Sequence, residues 1–183
     1  MIDKLPQDPV IPVTPAKDAV SGQTAGTAAV KQKSAVSQVV TGQSVTQPAG
    51  TFTITSASTG TAAFTVSANK KSVTVPDEIS FGGRQFAVTE VSAGAFTGSK
   101  IRTVTIGENI KKIRKNAFKK SKVTKLVIKS KKLTKASVKG SLKGSKVKRV
   151  QVKAGSKKVN KKYVKKYKSL FTKKNAGKKV SVK

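Results

Sequence analysis

Three consecutive stretches of the chain repeat one another, and this repetition restricts the fold more than any other feature of the sequence. The copies read VTEVSAGAFTGSKIRTVTIG (88–107), IKKIRKNAFKKSKVTKLVIK (110–129) and LTKASVKGSLKGSKVKRVQVK (133–153). Their large apolar residues Phe96, Phe118 and Leu142 are spaced 22 and then 24 residues apart. A period of this length is typical of solenoids, in which no unit can bury its apolar face without a neighbour. We therefore expect the copies to stack.

Each large apolar residue is followed by an apolar triplet at constant intervals. The triplets are Ile101, Val104 and Ile106; Val123, Leu126 and Ile128; and Val147, Val150 and Val152. Because alternate residues of a strand lie on one face, this spacing predicts one short core-facing strand per copy. The L-x-x-L-x-L-like pattern is typical of leucine-rich repeats.

The copies also resemble a known family. The pattern I-x-x-x-A-F-x-x-(C/S)-x-x-L-x-x-V-x-I, present as Val91–Phe96 and Ile113–Phe118 with the residues that follow, is similar to BspA-type leucine-rich repeats of bacterial cell-surface proteins. The segment Val73–Ile79 (VTVPDEI) resembles the VTIPDxV sequence that opens such arrays. The lysine-rich residues 131–183 resemble the C-terminal end of large surface proteins of this family. The resemblance covers residues 51–183 and implies a surface location.

Two departures from the family pattern affect the interpretation. The position that is often cysteine in the family is serine here, at Ser99, Ser121 and Ser145. The third copy has lost the Ala-Phe pair, reads Gly140-Ser141-Leu142 and is two residues longer. We interpret it as a degenerate or capping repeat.

Residues 1–50 differ in composition from the repeats. Four prolines lie within the first fifteen residues, and Ala, Val, Thr, Ser, Gln and Gly predominate without any aromatic residue. Such a segment cannot bury enough apolar surface to offset the entropy of ordering it. We predict a disordered Pro/Ala/Thr/Ser-rich linker over 1–50. The alternative is a short recognition motif within it.

The residues between this linker and the repeats predict β-strands. Apolar and polar residues alternate from Thr51 to Val75, and Gly82-Gly83 divides residues 79–88 into a hairpin, because glycine accepts the positive φ angles of a tight turn. A phosphate-binding loop at these glycines is the alternative, but neither a helix pattern nor a Lys-Ser/Thr signature follows. We predict a strand cap over 51–88 that covers the open edge of the first coil.

An amphipathic helix is predicted near the C-terminus. Asn160 is placed as the N-cap of a run whose apolar residues share one helix face: Tyr163, Val164, Tyr167, Leu170 and Phe171. Asn175 and Gly177 mark the end of the helix, and residues 178–183 alternate as a last strand. The opposite helix face is rich in lysine, so a membrane-surface helix is the alternative to a cap.

These elements predict a mostly β fold: a short leucine-rich-repeat solenoid with an N-terminal β-hairpin and strand cap and a C-terminal helix-plus-strand cap. The repeat domain covers 51–183, with the repeats over 88–158 and the C-terminal cap over 159–183.

The charge of the chain is extreme and uneven. The formal net charge is +32, from 39 Lys and Arg against seven Asp and Glu. All seven acids lie at or before Glu108, whereas residues 109–183 hold 30 of the basic residues. A field of this kind opposes compaction, so a polyanion is its natural complement. The alternative is that lysine only keeps a short solenoid soluble.

The repeat strands predict a candidate binding surface. In register, the outward columns are Thr103, Lys125 and Arg149; Thr105, Val127 and Gln151; and Gly107, Lys129 and Lys153. We predict that their basic members form one ligand-binding patch: Lys125, Lys129, Arg149 and Lys153. Ordinary solvated strand positions are the alternative.

Catalytic and metal-binding groups are scarce. The chain has no histidine and no cysteine, which excludes disulfides and Cys/His zinc sites. Asp77 and Glu78 are adjacent, so on a strand they face opposite ways and form a poor acid–base pair. Many Ser–Lys pairs can be drawn, but no G-x-S-x-G motif selects one. We expect no enzymatic activity, no cofactor and no metal site.

Together these features predict a non-enzymatic cell-surface interaction or adhesion module whose basic face binds anionic polymers or host ligands. The resemblance implies anionic cell-wall polymers, acidic glycans or host surface and matrix proteins as partners. The alternative is a sequence-independent nucleic-acid-binding protein, and nonspecific nucleic-acid binding is expected in vitro. No stretch reaches the ~18 apolar residues of a membrane span. Because the first residues also lack the apolar core of a signal peptide, we expect the chain to be part of a longer exported protein, extracellular or at the cell surface.

Overall fold

The repeats stack as successive coils whose strands form one parallel sheet. A computed structural model describes residues 38–183. All neighbouring strands of this sheet are parallel. In sheet order they are β11 (Ser181–Val182), β10 (Arg149–Val152), β9 (Lys125–Ile128), β7 (Thr103–Ile106) and β4 (Ser72–Val75). The array is therefore longer than the three copies, because β4 and β11 extend the sheet at both ends.

Equivalent residues of successive coils lie directly opposite one another. One such row consists of Val73, Val104, Leu126, Val150 and Val182. Every member of the row is at most 7% exposed. The three predicted triplets are buried as well, which confirms the leucine-rich solenoid.

A column of phenylalanines fills the core beside the sheet. The rings of Phe96 and Phe118 stack with centroids 4.7 Å apart and planes inclined by 4°. Phe64 lies 5.4 Å from Phe96, and Phe52 meets Phe64 edge-on at 5.2 Å. In the next coil Leu142 is fully buried at the equivalent place. The column thus runs from the cap strands into the repeats.

A second hydrogen-bond ladder joins the coils on the side where Phe96, Phe118 and Leu142 lie. The amide of Phe96 donates to the carbonyl of Ala117, and that of Phe118 donates to Ser141. The amide of Leu142 continues the ladder to the carbonyl of Ala176. Backbone hydrogen bonds therefore hold each coil to the next on two sides, in the parallel sheet and in this ladder.

Serine at the family's cysteine position is satisfied within its own coil. The hydroxyl of Ser99 donates to the carbonyl of Phe96 at 2.8 Å, and Ser121 donates to Phe118 at the same distance. Ser145 is also buried and accepts from the amide of Val147 at 3.4 Å. A small buried hydroxyl with a local partner meets the requirement that buried polar groups be hydrogen-bonded.

The N-terminal cap is a second sheet. Its strands are β1 (Ser44–Gln47), β2 (Gly50–Ser56), β3 (Thr61–Ser67), β5 (Glu78–Phe81), β6 (Arg84–Val91) and β8 (Lys112–Ile113). They follow the order β1-β2-β3-β6-β5, with β8 pairing β6. Gly82 and Gly83, with φ of 55° and 70°, make the predicted two-residue turn between β5 and β6. The predicted hairpin and strand cap is confirmed.

The ordered domain begins earlier than predicted. Strand β1 lies inside the range assigned to the linker and pairs antiparallel with β2, so that Val45 opposes Phe52 and is buried. Pro48 and Ala49 form the turn of this hairpin, because Gln47 opposes Gly50. A single apolar residue on an edge strand leaves too short a pattern to be detected. The rest of the predicted linker, residues 1–37, lies outside the described residues.

The C-terminal cap contains two helices, α1 (Lys157–Leu170) and α2 (Lys173–Ala176), before the last strand. The predicted N-cap Asn160 is wrong, because helix α1 begins earlier and Ser156 caps it by accepting from the amide of Val159. Asn160 instead accepts from the amide of Ala154 at 2.7 Å and donates to Gly155. Its side chain therefore ties the first turn of α1 to the preceding loop.

The apolar face of α1 packs against the last coil. Tyr167 and Leu170 are buried, and Gly177, with φ of 85°, caps the end of α2. A membrane-surface helix would need this face uncovered, so the structure supports the predicted cap. Within residues 38–183 no helix is both long and apolar enough to cross a membrane. A 3-10 helix, Ala136–Val138, is the remaining helical segment of this region.

The phenylalanine column predicts a graded response to truncation. Replacing Phe118 with alanine should lower the free energy of unfolding by about 3–5 kcal/mol, because it leaves a cavity between two stacked coils. Phe118→Leu should cost less than about 1.5 kcal/mol, since leucine already fills this place in the next coil. Urea denaturation measures both values. Equal losses of unfolding free energy in the two variants would contradict the packing role assigned to the column.

Ser141 predicts a stabilising substitution. Its hydroxyl is the one buried side-chain polar atom in residues 38–183 that lacks a hydrogen-bond partner, and the equivalent residues are Ala95 and Ala117. Ser141→Ala should therefore raise the free energy of unfolding by about 1 kcal/mol. Ser130 is the matched control, because its buried hydroxyl donates to Ile110 and accepts from Lys132. Ser130→Ala should destabilise by about 1 kcal/mol, and a loss at both positions would refute the assignment.

Candidate polyanion-binding surface

The structure places the four predicted site residues at the two ends of two neighbouring strands, as two pairs. Lys125 and Arg149 are the first residues of β9 and β10 and lie opposite each other. Lys129 and Lys153 directly follow the last residues of the same strands. Four residues of strand span about 13 Å, so the pairs stand at opposite ends of the sheet face. They do not form one compact patch, and ligand binding by them remains a prediction.

The surface between the pairs is neutral. Thr105, Val127 and Gln151 share one row, as predicted, but Val127 is only 7% exposed. Gly107 does not face solvent beside Lys129, because a Cβ there would stand 2.5 Å from the Asp77 carboxylate. Close approach of two coils, rather than access for a ligand, explains this glycine.

A cleft adjoins the first pair. It has a volume of about 430 Å³ and is lined by Thr103, Thr124, Lys125, Lys148, Arg149, Ser181 and Lys183. Lys148 and Lys183 belong to this surface but were not among the residues predicted from the sequence. Lys148 directly precedes β10 as Arg102 directly precedes β7, so the repeat alignment contains the signal that could have found it.

Two of the four acidic side chains of residues 38–183, those of Asp77 and Glu90, have structural partners. The carboxylate of Asp77 accepts from the amides of Glu108 and Asn109, which holds the turn after β7. Glu90 accepts from Arg114, and this hydrogen bond raises the pKa of the Arg114 guanidinium. That pair is the only salt bridge of the described region. In the same region no group of three or more acidic side chains is placed to hold a metal ion.

The tyrosines of α1 are used in packing. The hydroxyl of Tyr167 donates to the carbonyl of Ser130, and burial raises the pKa of this phenol well above its ordinary value. Tyr163 lies against Tyr167 with ring centroids 5.8 Å apart, and the ammonium of Lys166 is 5.5 Å from the Tyr163 ring. Tyr167 is therefore fully buried, and a second ring and a cation already lie against the half-buried Tyr163.

Comparison with known families accounts for the repeats. The family described as "BspA type Leucine rich repeat region" matches residues 49–170 in six copies. The chain belongs to this family. A sequence comparison with curated proteins returns no match.

Two solved structures resemble this BspA-type domain in part. A leucine-rich cell-surface protein from Faecalibacterium prausnitzii is 20% identical over 59% of this chain and 26% of its own, with a TM-score of 0.42. The pneumococcal vaccine antigen PcpA is 21% identical over 64% of this chain and 31% of its own, with a TM-score of 0.41. The chain therefore spans about a third or less of each.

A second basic cleft of the BspA-type domain lies where the coils turn. Its volume is about 710 Å³, and its lining includes Lys112, Lys115, Lys139, Lys143 and Lys174. The stem of Lys115 lies over Gly140 of the next coil, where an added Cβ would stand 3.0 Å from the lysine Cγ. Basic residues therefore cover the turns as well as the sheet.

The uncompensated charge predicts stabilisation by salt. Raising NaCl from about 10 mM to about 150 mM shortens the Debye length from about 30 Å to about 8 Å and should raise the melting temperature. A variant with Lys158, Lys161, Lys162 and Lys165 replaced by glutamine should melt higher at low salt and respond less to NaCl. Differential scanning calorimetry measures both effects. A melting temperature that does not rise with salt would contradict net self-repulsion.

Proposed function

We propose that this BspA-type domain is a non-enzymatic cell-surface interaction or adhesion module whose basic half binds anionic polymers. One observation carries the proposal: residues 109–183 contain 30 basic residues and no acid. These residues lie on a stack of coils that backbone hydrogen bonds hold together. Membership in a family of bacterial surface repeats supports the location. The structural use of Asp77 and Glu90 supports the absence of an acid–base catalyst.

The chemistry of the surface favours a flexible polymer over a shaped ligand. Thirty-five of the 39 basic residues are lysines, whose compact ammonium groups act as point charges. Arginine, which pairs with planar groups in a bidentate manner, occurs only four times. Phosphate or carboxylate groups repeated along a chain therefore match this surface. Anionic cell-wall polymers are the partners we favour, followed by acidic glycans and host matrix proteins.

Sequence-independent binding of nucleic acid is the second candidate. The net charge of +32 favours it, since phosphate neutralisation alone produces nonspecific affinity. The packing of Tyr163 and Tyr167 against each other and the last coil disfavours recognition by base stacking. The two candidates therefore differ in what, besides charge, the polymer presents.

We predict that the four basic sheet-face residues form a defined binding site and do not act only through the overall positive charge of the domain. Replacing Lys125, Lys129, Arg149 and Lys153 with glutamine should weaken binding of a poly(glycerol phosphate) by at least about tenfold more than four substitutions on α1. The control replaces Lys158, Lys161, Lys162 and Lys165, which share one exposed helix face. Isothermal titration at about 150 mM salt compares two variants of identical net charge.

The outcomes separate the alternatives. Equal losses in the two variants would leave only diffuse charge and reject the four residues as a site. A parallel titration with duplex DNA of matched charge tests the second candidate. Tighter binding of DNA than of the glycerol phosphate polymer would favour the nucleic-acid function, and no binding of either at this salt would reject polyanion binding.

A further inference from the structure

One lysine recurs at the same place in three successive coils. Lys100, Lys122 and Lys146 each follow the buried serine of their repeat and precede a buried aliphatic residue. We call these three residues the lysine ridge. Backbone bonds align the coils on both sides of it: Gly98 donates to Lys120 before the ridge, and Thr124 donates to Arg102 after it. The three lysines are therefore structurally equivalent.

The ridge has a rigid base. The serine before each ridge lysine is at most 8% exposed, and the aliphatic residue after it is fully buried. The serines are Ser99, Ser121 and Ser145, and the aliphatic residues are Ile101, Val123 and Val147. Because the flanking residues point inward on both sides, each lysine is exposed and projects from a fixed backbone position. Adjacent strands lie about 4.8 Å apart, so the three positions span about 10 Å along the solenoid axis.

Further cations extend the ridge at its sides and end. Arg102 and Lys148 are exposed two residues after Lys100 and Lys146. The ammonium of Lys178 donates to the carbonyl of Ser145 at 2.8 Å and so lies next to the last ridge position. The predicted pair Lys125 and Arg149 stands at the start of the strands that the ridge precedes.

The acids of the described region lie elsewhere. Asp77 and Glu108 follow the ends of β4 and β7, whereas the ridge precedes the strand starts, and a four-residue strand separates them by about 13 Å. Glu78 begins β5 and Glu90 lies in β6, both in the cap sheet. Positive charge therefore continues along the strand starts from coil to coil, while the strand ends carry both signs.

We propose that a linear phosphate polymer binds along the lysine ridge, parallel to the solenoid axis, with about one negative charge neutralised per coil. This inference rests on the proposed polyanion binding and assigns its location and direction. The ligand is recognised through its repeated phosphates alone, because the ridge presents ammonium groups and no aromatic side chain. Lys129 and Lys153, at the other end of the strands, contribute little to this contact.

The test compares charge-matched triple variants with fluorescently labelled linear polyphosphate as the probe. Replacing Lys100, Lys122 and Lys146 with glutamine should weaken binding by about 10- to 100-fold near physiological salt. It should also make the negative slope of log K against log salt less steep by about two to three units. The control replaces Lys158, Lys161 and Lys165 on α1, also exposed and equal in charge, and should change the slope by less than one unit. Thermal melting checks that both variants fold.

Each outcome decides between the ridge and the broader function. Selective loss in the ridge variant supports the proposal. Equal loss in the two variants overturns the ridge while polyanion binding stands. A larger loss from Lys129→Gln combined with Lys153→Gln overturns it in favour of the strand ends. Failure of the unsubstituted protein to bind polyphosphate overturns both the ridge and the proposed function.

Discussion

Stacking of equivalent side chains in successive coils is the interaction on which the rest of this structure depends. A single coil of about 22 residues has an apolar triplet and one large apolar residue but no partner layer of its own. Phe96 becomes buried only because Phe118 stacks on it at 4.7 Å, and the row through Leu126 is closed by its neighbours in register. Both ends therefore need caps of different chemistry, which the antiparallel strands and helix α1 supply.

This dependence explains why so much of the fold could be predicted from the sequence. A residue that must meet its own counterpart in the next coil recurs at a fixed interval, so Ile101, Val123 and Val147 identify their layer without other information. The hairpin at Gly82-Gly83 was predictable for a local reason, since two adjacent residues there have positive φ. Periodicity and backbone geometry are properties that the sequence records directly.

Features that depend on one contact were not predictable in the same way. Strand β1 is specified mainly by Val45 against Phe52, which is too little pattern to distinguish it from the proline-containing segment before it. Asn160 and Ser156 are both suitable N-caps, and only the packing of the loop at Ala154 decides between them. For the candidate site, the register of Lys125 with Arg149 followed from the repeats. The separation of Lys129 from Lys125 follows from the same spacing, because four residues of strand span about 13 Å. The burial of Val127 between them depends on packing and could not be predicted in this way.

The same stacking that aligns apolar residues also aligns like charges. If each coil repeats its neighbour, a lysine outside one coil stands beside a lysine outside the next, and Lys100, Lys122 and Lys146 show the result. A monomeric solenoid could relieve this repulsion by alternating acids and bases between coils, as Glu90 and Arg114 do in the cap sheet. Residues 109–183 contain no acid with which to do so. The repulsion is therefore retained in the free protein. Under the proposed function a bound polyanion would relieve it, because a ligand that binds only the folded state stabilises that state. The proposal therefore links folding stability and ligand binding through the same lysines.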